Sequence, residues 1–126
     1  MGGLASARVV TFVLTRDREA ARAWYTGVLG LPLTGDDGFA TVLDMNGVIL
    51  RITQIEGYQA PPHPVLGWEV PDIAGAIRDL VAKGVTMTIY EGYGQDALGV
   101  WTSPDGKAKV AWFKDPDGNV LSLTQC

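Results

Sequence analysis

Phe113-Lys114-Asp115-Pro116-Asp117-Gly118-Asn119-Val120-Leu121-Ser122-Leu123-Thr124-Gln125 reads as a tight hairpin: an apolar strand, a turn and a second apolar strand. Pro116 presets φ at the second turn position, and Gly118 supplies the positive φ that closes the turn. The second strand has an echo earlier in the chain. Ile49-Leu50-Arg51-Ile52-Thr53-Gln54 runs almost position for position with Val120-Leu121-Ser122-Leu123-Thr124-Gln125. The echo marks one half of a duplication, and the duplication decides the fold.

Working outward from the echo, Val9 to Thr15 is an apolar, β-branched run suited to a buried strand. Asp17 is the predicted N-cap of a helix with Ala20, Ala23, Trp24 and Val28 on its buried face and Gly30 at its end. Leu31-Pro32-Leu33 reads as a short edge strand, because Pro32 has no N–H for a ladder. Phe39 to Asp44 and Val48 to Ile55 form a hairpin around Asn46-Gly47. After the linker, the order repeats. His63 to Val70 is a strand; Asp72 caps a helix with Ile73, Ala76, Ile77 and Leu80 inside; Gly84 closes it. Val85 to Tyr90 is strand-like, Glu91 to Asp96 a glycine-rich loop, and Leu98–Thr102 with Lys107–Lys114 a hairpin leading into the opening stretch.

Val10 thus aligns with Val65, and Asp17 with Asp72. The expected fold class is α+β: two tandem βαβββ modules, about 8–56 and about 63–125, joined by a linker at about 57–62 within a single domain, 1–126. Neither module can bury a sheet face alone, so the two are expected to pack together.

Composition narrows the function. A chain of 126 residues is enough for one sizeable core. Its one cysteine, Cys126, excludes an intrachain disulfide framework. No segment has the unbroken apolar length of a membrane span, and the start lacks a secretory pattern, so a cytoplasmic protein without membrane contact is expected. A net charge of −4 and a pI near 4.7 speak against nucleic acid as a partner. The acidic balance is compatible with a cationic small ligand, but a surface kept soluble by its acid groups is the plainer reading of charge alone.

The helix from Asp17 to Leu31, with Trp24-Tyr25 and Val28-Leu29-Gly30-Leu31, resembles the first helix of the vicinal oxygen chelate superfamily. Glu69-Val70-Pro71-Asp72-Ile73 and the Asp115-Pro116-Asp117-Gly118-Asn119 hairpin resemble its second half. That superfamily includes glyoxalase I, extradiol dioxygenases, fosfomycin-resistance enzymes and bleomycin-resistance proteins. The resemblance implies paired βαβββ modules forming a cupped mixed sheet with helices on the outside, commonly a homodimer with two ligand cavities. It does not fix the activity, because one fold hosts several chemistries. In the metalloenzymes of the group, ligands lie on the cup face of the first and last strands of each module. Carried over, those positions are Val10 and Val65, seven residues before each capping Asp; Ser122, three after the turn Asn; and Arg51 through the repeat. Valine has no donor atom, a hydroxyl is a poor ligand for a divalent ion, and a guanidinium repels one. No metal and no other cofactor is expected. His63 and Glu69 share a strand face but span about 20 Å, too far for one ion.

Alternation places Val10, Phe12, Leu14, Ile49, Arg51, Thr53, Val65, Gly67, Glu69, Val120, Ser122 and Thr124 on the cup face, an apolar bowl with a few polar groups. Gly67 is expected to leave room in it. Arg51 requires a carboxylate such as Glu69, or an anionic or carbonyl group of a ligand. An internal salt bridge is the plainer alternative. Trp68 is expected on the helix side. Tyr90, Tyr93 and Trp101 flank the glycine-rich loop, where a planar ligand could stack or the rings could simply pack the loop, and Trp112 fits either face. Within the superfamily, bleomycin-resistance proteins bind an aromatic, cationic drug between such loops without chemistry. No nucleophilic constellation is present. The expected function is therefore metal-free binding or sequestration of a partly aromatic small molecule by a homodimer, through Phe12, Arg51, Gly67, Glu69, Tyr90, Tyr93, Trp101, Trp112 and Ser122. The alternatives are a metal-independent isomerase, lyase or hydrolase using Glu69 and Arg51 and, less well supported, a divalent-metal lyase or dioxygenase.

Overall fold

The capped helices and tight turns of the sequence recur in a computed structural model, which describes residues 3–126. The described chain forms two compact units, one ending at Gln59 and the other running Ala60–Cys126. A 3-10 turn, Gly3–Ser6, precedes the first unit's regular elements: β1 (Val10–Thr15), α1 (Arg18–Gly27), β2 (Leu33–Asp36), β3 (Ala40–Met45) and β4 (Val48–Gln54). The second unit contains β5 (Pro64–Glu69), α2 (Ile73–Ala82), β6 (Trp101–Thr102), β7 (Lys109–Lys114) and β8 (Val120–Gln125). Each unit carries one four-stranded sheet, ordered β1-β4-β3-β2 in the first and β5-β8-β7-β6 in the second. The pairs β1/β4 and β5/β8 are parallel and the others antiparallel, so both sheets are mixed. The α+β class is as expected, with the same strand order in both halves.

Local chemistry explains the element ends. Asp17 and Asp72 cap α1 and α2, their side chains accepting from the N–H groups of Ala20 and Gly75. Gly30, at φ +70°, turns the chain out of α1 as Leu31 N–H donates to Tyr25 O at 3.1 Å. Asn46 and Gly47 both take positive φ, 53° and 91°, the requirement of a two-residue hairpin turn. The opening hairpin is closed by Asp115. Its Oδ1 accepts from the N–H groups of Asp117 and Asn119, both at 2.9 Å, and its Oδ2 accepts from Asn119 Nδ2 at 2.8 Å. Both side chains are buried.

The echo between the two halves has a structural role. Gln54 Oε1 accepts from the Arg18 N–H at 2.9 Å, and Gln125 Oε1 accepts from the Ile73 N–H at 2.8 Å. In each unit the last residue of the last strand thereby satisfies the first amide of that unit's helix, one of the donors a helix leaves open.

Four expectations are corrected. Val85–Tyr90 is not a strand; only Thr88 bridges, to Trp112. The Gln95 side chain takes the backbone groups a partner strand would use, donating to Thr88 O (3.0 Å) and Gly99 O (2.7 Å) and accepting from Tyr90 N–H (2.7 Å). The edge strand β2 starts at Leu33 rather than Leu31, since Leu31 N–H closes α1 and Pro32 has none. In the following hairpin, β6 is confined to Trp101–Thr102, because Asp96 Oδ1 takes the amides of Leu98 and Val100. Finally, α1 buries Ala21 and Tyr25, while Ala20 and Ala23 are exposed. One tyrosine ring removes far more apolar surface from water than two methyl groups. Trp24 is half-buried, edge-on to Tyr25 with ring centroids 5.0 Å apart.

α1 packs on β3 and β4, and α2 on β7 and β8. Among the described residues no helix is long and apolar enough to cross a membrane.

Candidate functional site

Strand alternation separates a helix-covered face from an open one in each sheet. On β1, Val13 and Thr15 are buried, whereas Phe12 is 62% exposed. On β5, Trp68 stacks on the buried Phe113 at 6.5 Å, as expected for the helix side, while Val65, Gly67 and Glu69 are exposed. The open faces carry most of the residues singled out from the sequence.

In the first unit, Phe12, Arg51 and Val42 form one cross-strand row. Arg51 Nη2 donates to Asp37 Oδ2 at 2.7 Å, so its carboxylate is Asp37 and not Glu69. Asp37 sits at the β2–β3 tip, where its Oδ1 also accepts from the N–H groups of Phe39 (3.0 Å) and Ala40 (2.9 Å). The Arg51 hydrogen bond, followed by those of Ala40 and Phe39, lowers the Asp37 carboxyl to about 2. The carboxylate that fixes the guanidinium is itself fixed by backbone. The neighbouring Asp36 is also lowered, first through the Gly38 N–H, and pairs with Arg18 at 3.6 Å. Phe39, 80% exposed, borders a depression of about 340 Å³ with Arg18, Gly38, Thr53 and Gln54.

In the second unit two adjacent rows carry the expected side chains. One runs Gly67, Ser122, Trp112; the next runs Glu69, Thr124, Val110, Trp101. Gly67 does not leave a vacant place. Ser122 Oγ already occupies the position that a Cβ there would take, and Ser122 O lies 3.3 Å from it. Tyr90, Tyr93 and Trp112 form a three-ring cluster with centroid separations of 5.7, 5.4 and 6.0 Å. Both tyrosines meet Trp112 nearly edge-on, at 82° and 84°, the favoured geometry for aromatic pairs. Trp101 stands one row away, beside Val110. Gln95, through its three hydrogen bonds, holds the loop that presents the two tyrosines.

The model of the Glyoxalase/Bleomycin resistance protein/Dioxygenase superfamily matches residues 7–123. The chain belongs to that superfamily. A member of the superfamily from Sphaerobacter thermophilus DSM 20745 shares the fold with a TM-score of 0.73 at 21% identity, over 95% of this chain and 97% of that one. Lactoylglutathione lyase from Agrobacterium tumefaciens gives 0.71 at 17% identity, over 95% and 93%. TioX from Micromonospora sp. ML1 gives 0.69 at 15%, over 94% and 98%. Comparison with curated protein sequences gives no match.

Superfamily metalloenzymes would place donors where this chain has Val10, Arg51, Val65 and Ser122. These side chains do not fit a metal ion: two lack a donor, and Arg51 is a cation held by Asp37. Phe12 and Gly67, rather than the two valines, lie directly beside Arg51 and Ser122. Among the described residues no group of three His, Cys, Asp or Glu side chains could hold a metal, and His63 is exposed just ahead of β5.

Asp37, Phe39 and Gln95 were not evident as site-building residues from the sequence. Asp36-Asp37-Gly38 between two strands does carry the signature of a side-chain-capped turn. Nothing in the residues around Gln95 marks a glutamine that substitutes for a strand.

Proposed function

We propose that this superfamily member binds a small, partly aromatic molecule on its open sheet faces without a metal ion, acting as a cytoplasmic, homodimeric binding or sequestering protein. The observation that carries this reading is the Tyr90–Tyr93–Trp112 cluster, standing in the same row as the Ser122 hydroxyl. Among the described residues that hydroxyl has no hydrogen-bond partner, and Tyr93 is 55% exposed. Rings provide sequence-tolerant stacking area, and free hydroxyls orient a ligand's polar edge. The valines and the Arg51–Asp37 pair at the metal positions support a metal-free mode.

Intrinsic tryptophan fluorescence, titrated with a panel of planar aromatic compounds, tests the reading. Saturable quenching that survives EDTA treatment, and is lost in Trp112→Leu with the fold intact, is the expected result. Binding that appears only after zinc, nickel, manganese or iron is added would overturn it. Sedimentation equilibrium tests the homodimer, and a single species of monomer mass would remove it.

A further inference from the structure

We infer that the Arg51–Asp37 pair is an anchor for a carboxylate-type group of the ligand, with Phe12 beside it to take an attached apolar or aromatic body. The inference rests on the small-molecule reading above and names the ligand chemistry that the first unit's open face takes.

The argument begins with unused donors. A guanidinium has five N–H groups in a planar fork. Arg51 donates to Asp37 at 2.7 Å, and among the described residues no second partner takes the rest. The side chain is half-buried, its head fixed instead of roaming in solvent. Asp37 holds it firmly because its own carboxylate is tied to the amides of Phe39 and Ala40. A surface arginine serving only as an ion pair gains little from such ties. An arginine fixed in this way has lost the side-chain freedom that binding would otherwise remove, so its remaining donors are preorganised.

The surroundings suit a ligand with two kinds of surface. Phe12 is the direct neighbour of Arg51 on β1, and the residue is 62% exposed. Val42 flanks Arg51 on the opposite side. An apolar patch bordering a fixed fork matches a carboxylate on an apolar body, with the two N–H···O bonds that guanidinium and carboxylate form side by side. Asp37, itself ionised, offsets the guanidinium's charge, so the site suits a group that accepts from the remaining N–H edge and carries at most one negative charge.

The test uses the full chain, labelled with 15N at arginine, and three naphthalene probes: 2-naphthoate, 2-naphthamide and 2-naphthylmethylamine. Naphthoate is expected to shift the Arg51 Nε–H resonance and to bind about tenfold tighter than naphthamide, the worth of one charge-assisted hydrogen bond. Its affinity should fall as salt is raised. Arg51→Met should abolish the preference while the backbone amide spectrum stays folded. Arg51→Lys should keep part of it, since an ammonium preserves charge without the fork. Equal binding of all three probes, or a naphthoate preference unchanged in Arg51→Met, overturns the carboxylate anchor and leaves the small-molecule reading standing. No binding of any probe at millimolar concentration overturns both.

Discussion

The Ser122 hydroxyl occupies the space beside Gly67 that any larger residue would need for its Cβ. The two residues are register partners on the parallel strands β5 and β8, so the fit is between neighbours in one row of the open face. Gly67→Ala is therefore expected to destabilise the protein by about 1 kcal/mol, near the lower end for overpacking because the hydroxyl can rotate away. Ser122→Ala should remove much of that cost. Urea unfolding of the two single variants and the double variant gives the coupling, and strictly additive effects would refute the contact.

The Asp115–Asn119 web closes the hairpin that identifies the second unit. Asn119→Ala removes the donor that Asp115 Oδ2 accepts from at 2.8 Å, in a site where both residues are buried. The expected loss is about 2 kcal/mol, because a hydrogen bond to a buried carboxylate is removed. A denaturation midpoint equal to that of the unmodified chain would show the web to be dispensable.

Acid should weaken the first unit through Asp37. Its carboxyl is lowered from the usual 3.8 to about 2 in the folded state, so the unfolded chain takes up the proton more readily. The stabilisation is fully present above about pH 4 and is lost as pH falls toward 2. Asp37→Asn should lose less stability than the unmodified chain between pH 5 and pH 2.5, measured by urea midpoints. Asp36 and Asp105, also lowered, would supply the acid sensitivity that remains in the variant.

Gln95 governs the ring cluster without belonging to it. Gln95→Leu leaves Thr88 O, Gly99 O and Tyr90 N–H without their partner. The expected cost is about 2 kcal/mol, with a reduced near-ultraviolet circular dichroism signal from the three rings. Gln95→Glu should be less stable at pH 7 than at pH 4, relative to the unmodified chain, because an ionised carboxylate would face two carbonyl oxygens. An unchanged near-ultraviolet spectrum in Gln95→Leu would show that the rings are placed by other contacts.

How much of this was legible in the sequence depended on where each residue's partner lies. Asp17, Asp72, Gly30 and Asn46-Gly47 act within a few residues of themselves, and their turns and caps read directly. The open faces followed from period-two alternation, which placed Phe12, Arg51, Gly67 and Ser122 together with their row neighbours. Side chains that replace backbone partners were the obstacle. Val85–Tyr90 has a strand's composition, yet Gln95 satisfies the amides and carbonyls a neighbouring strand would take. Arg51 announced the need for a carboxylate, but its choice of Asp37 over Glu69 depends on how the β2–β3 tip folds back. The buried face of α1 lies one residue on from the Ala20–Ala23–Trp24 stripe, because burying the Tyr25 ring outweighs burying two alanine methyl groups.

The paired glutamines bear on how a superfamily can change its chemistry. A one-residue slip between β1 and β4 would turn every side chain of one strand to the opposite face. Gln54 reaches the Arg18 amide, and Gln125 the Ile73 amide, only in the observed alignment. Each sheet is thus checked for correct alignment from the helix end, by a residue outside the rows of the open face. Substitution on those rows can then proceed without the strands losing their place. That insulation lets the chain keep both halves of its architecture with Val10, Arg51, Val65 and Ser122, none of them a good metal ligand, on its strands.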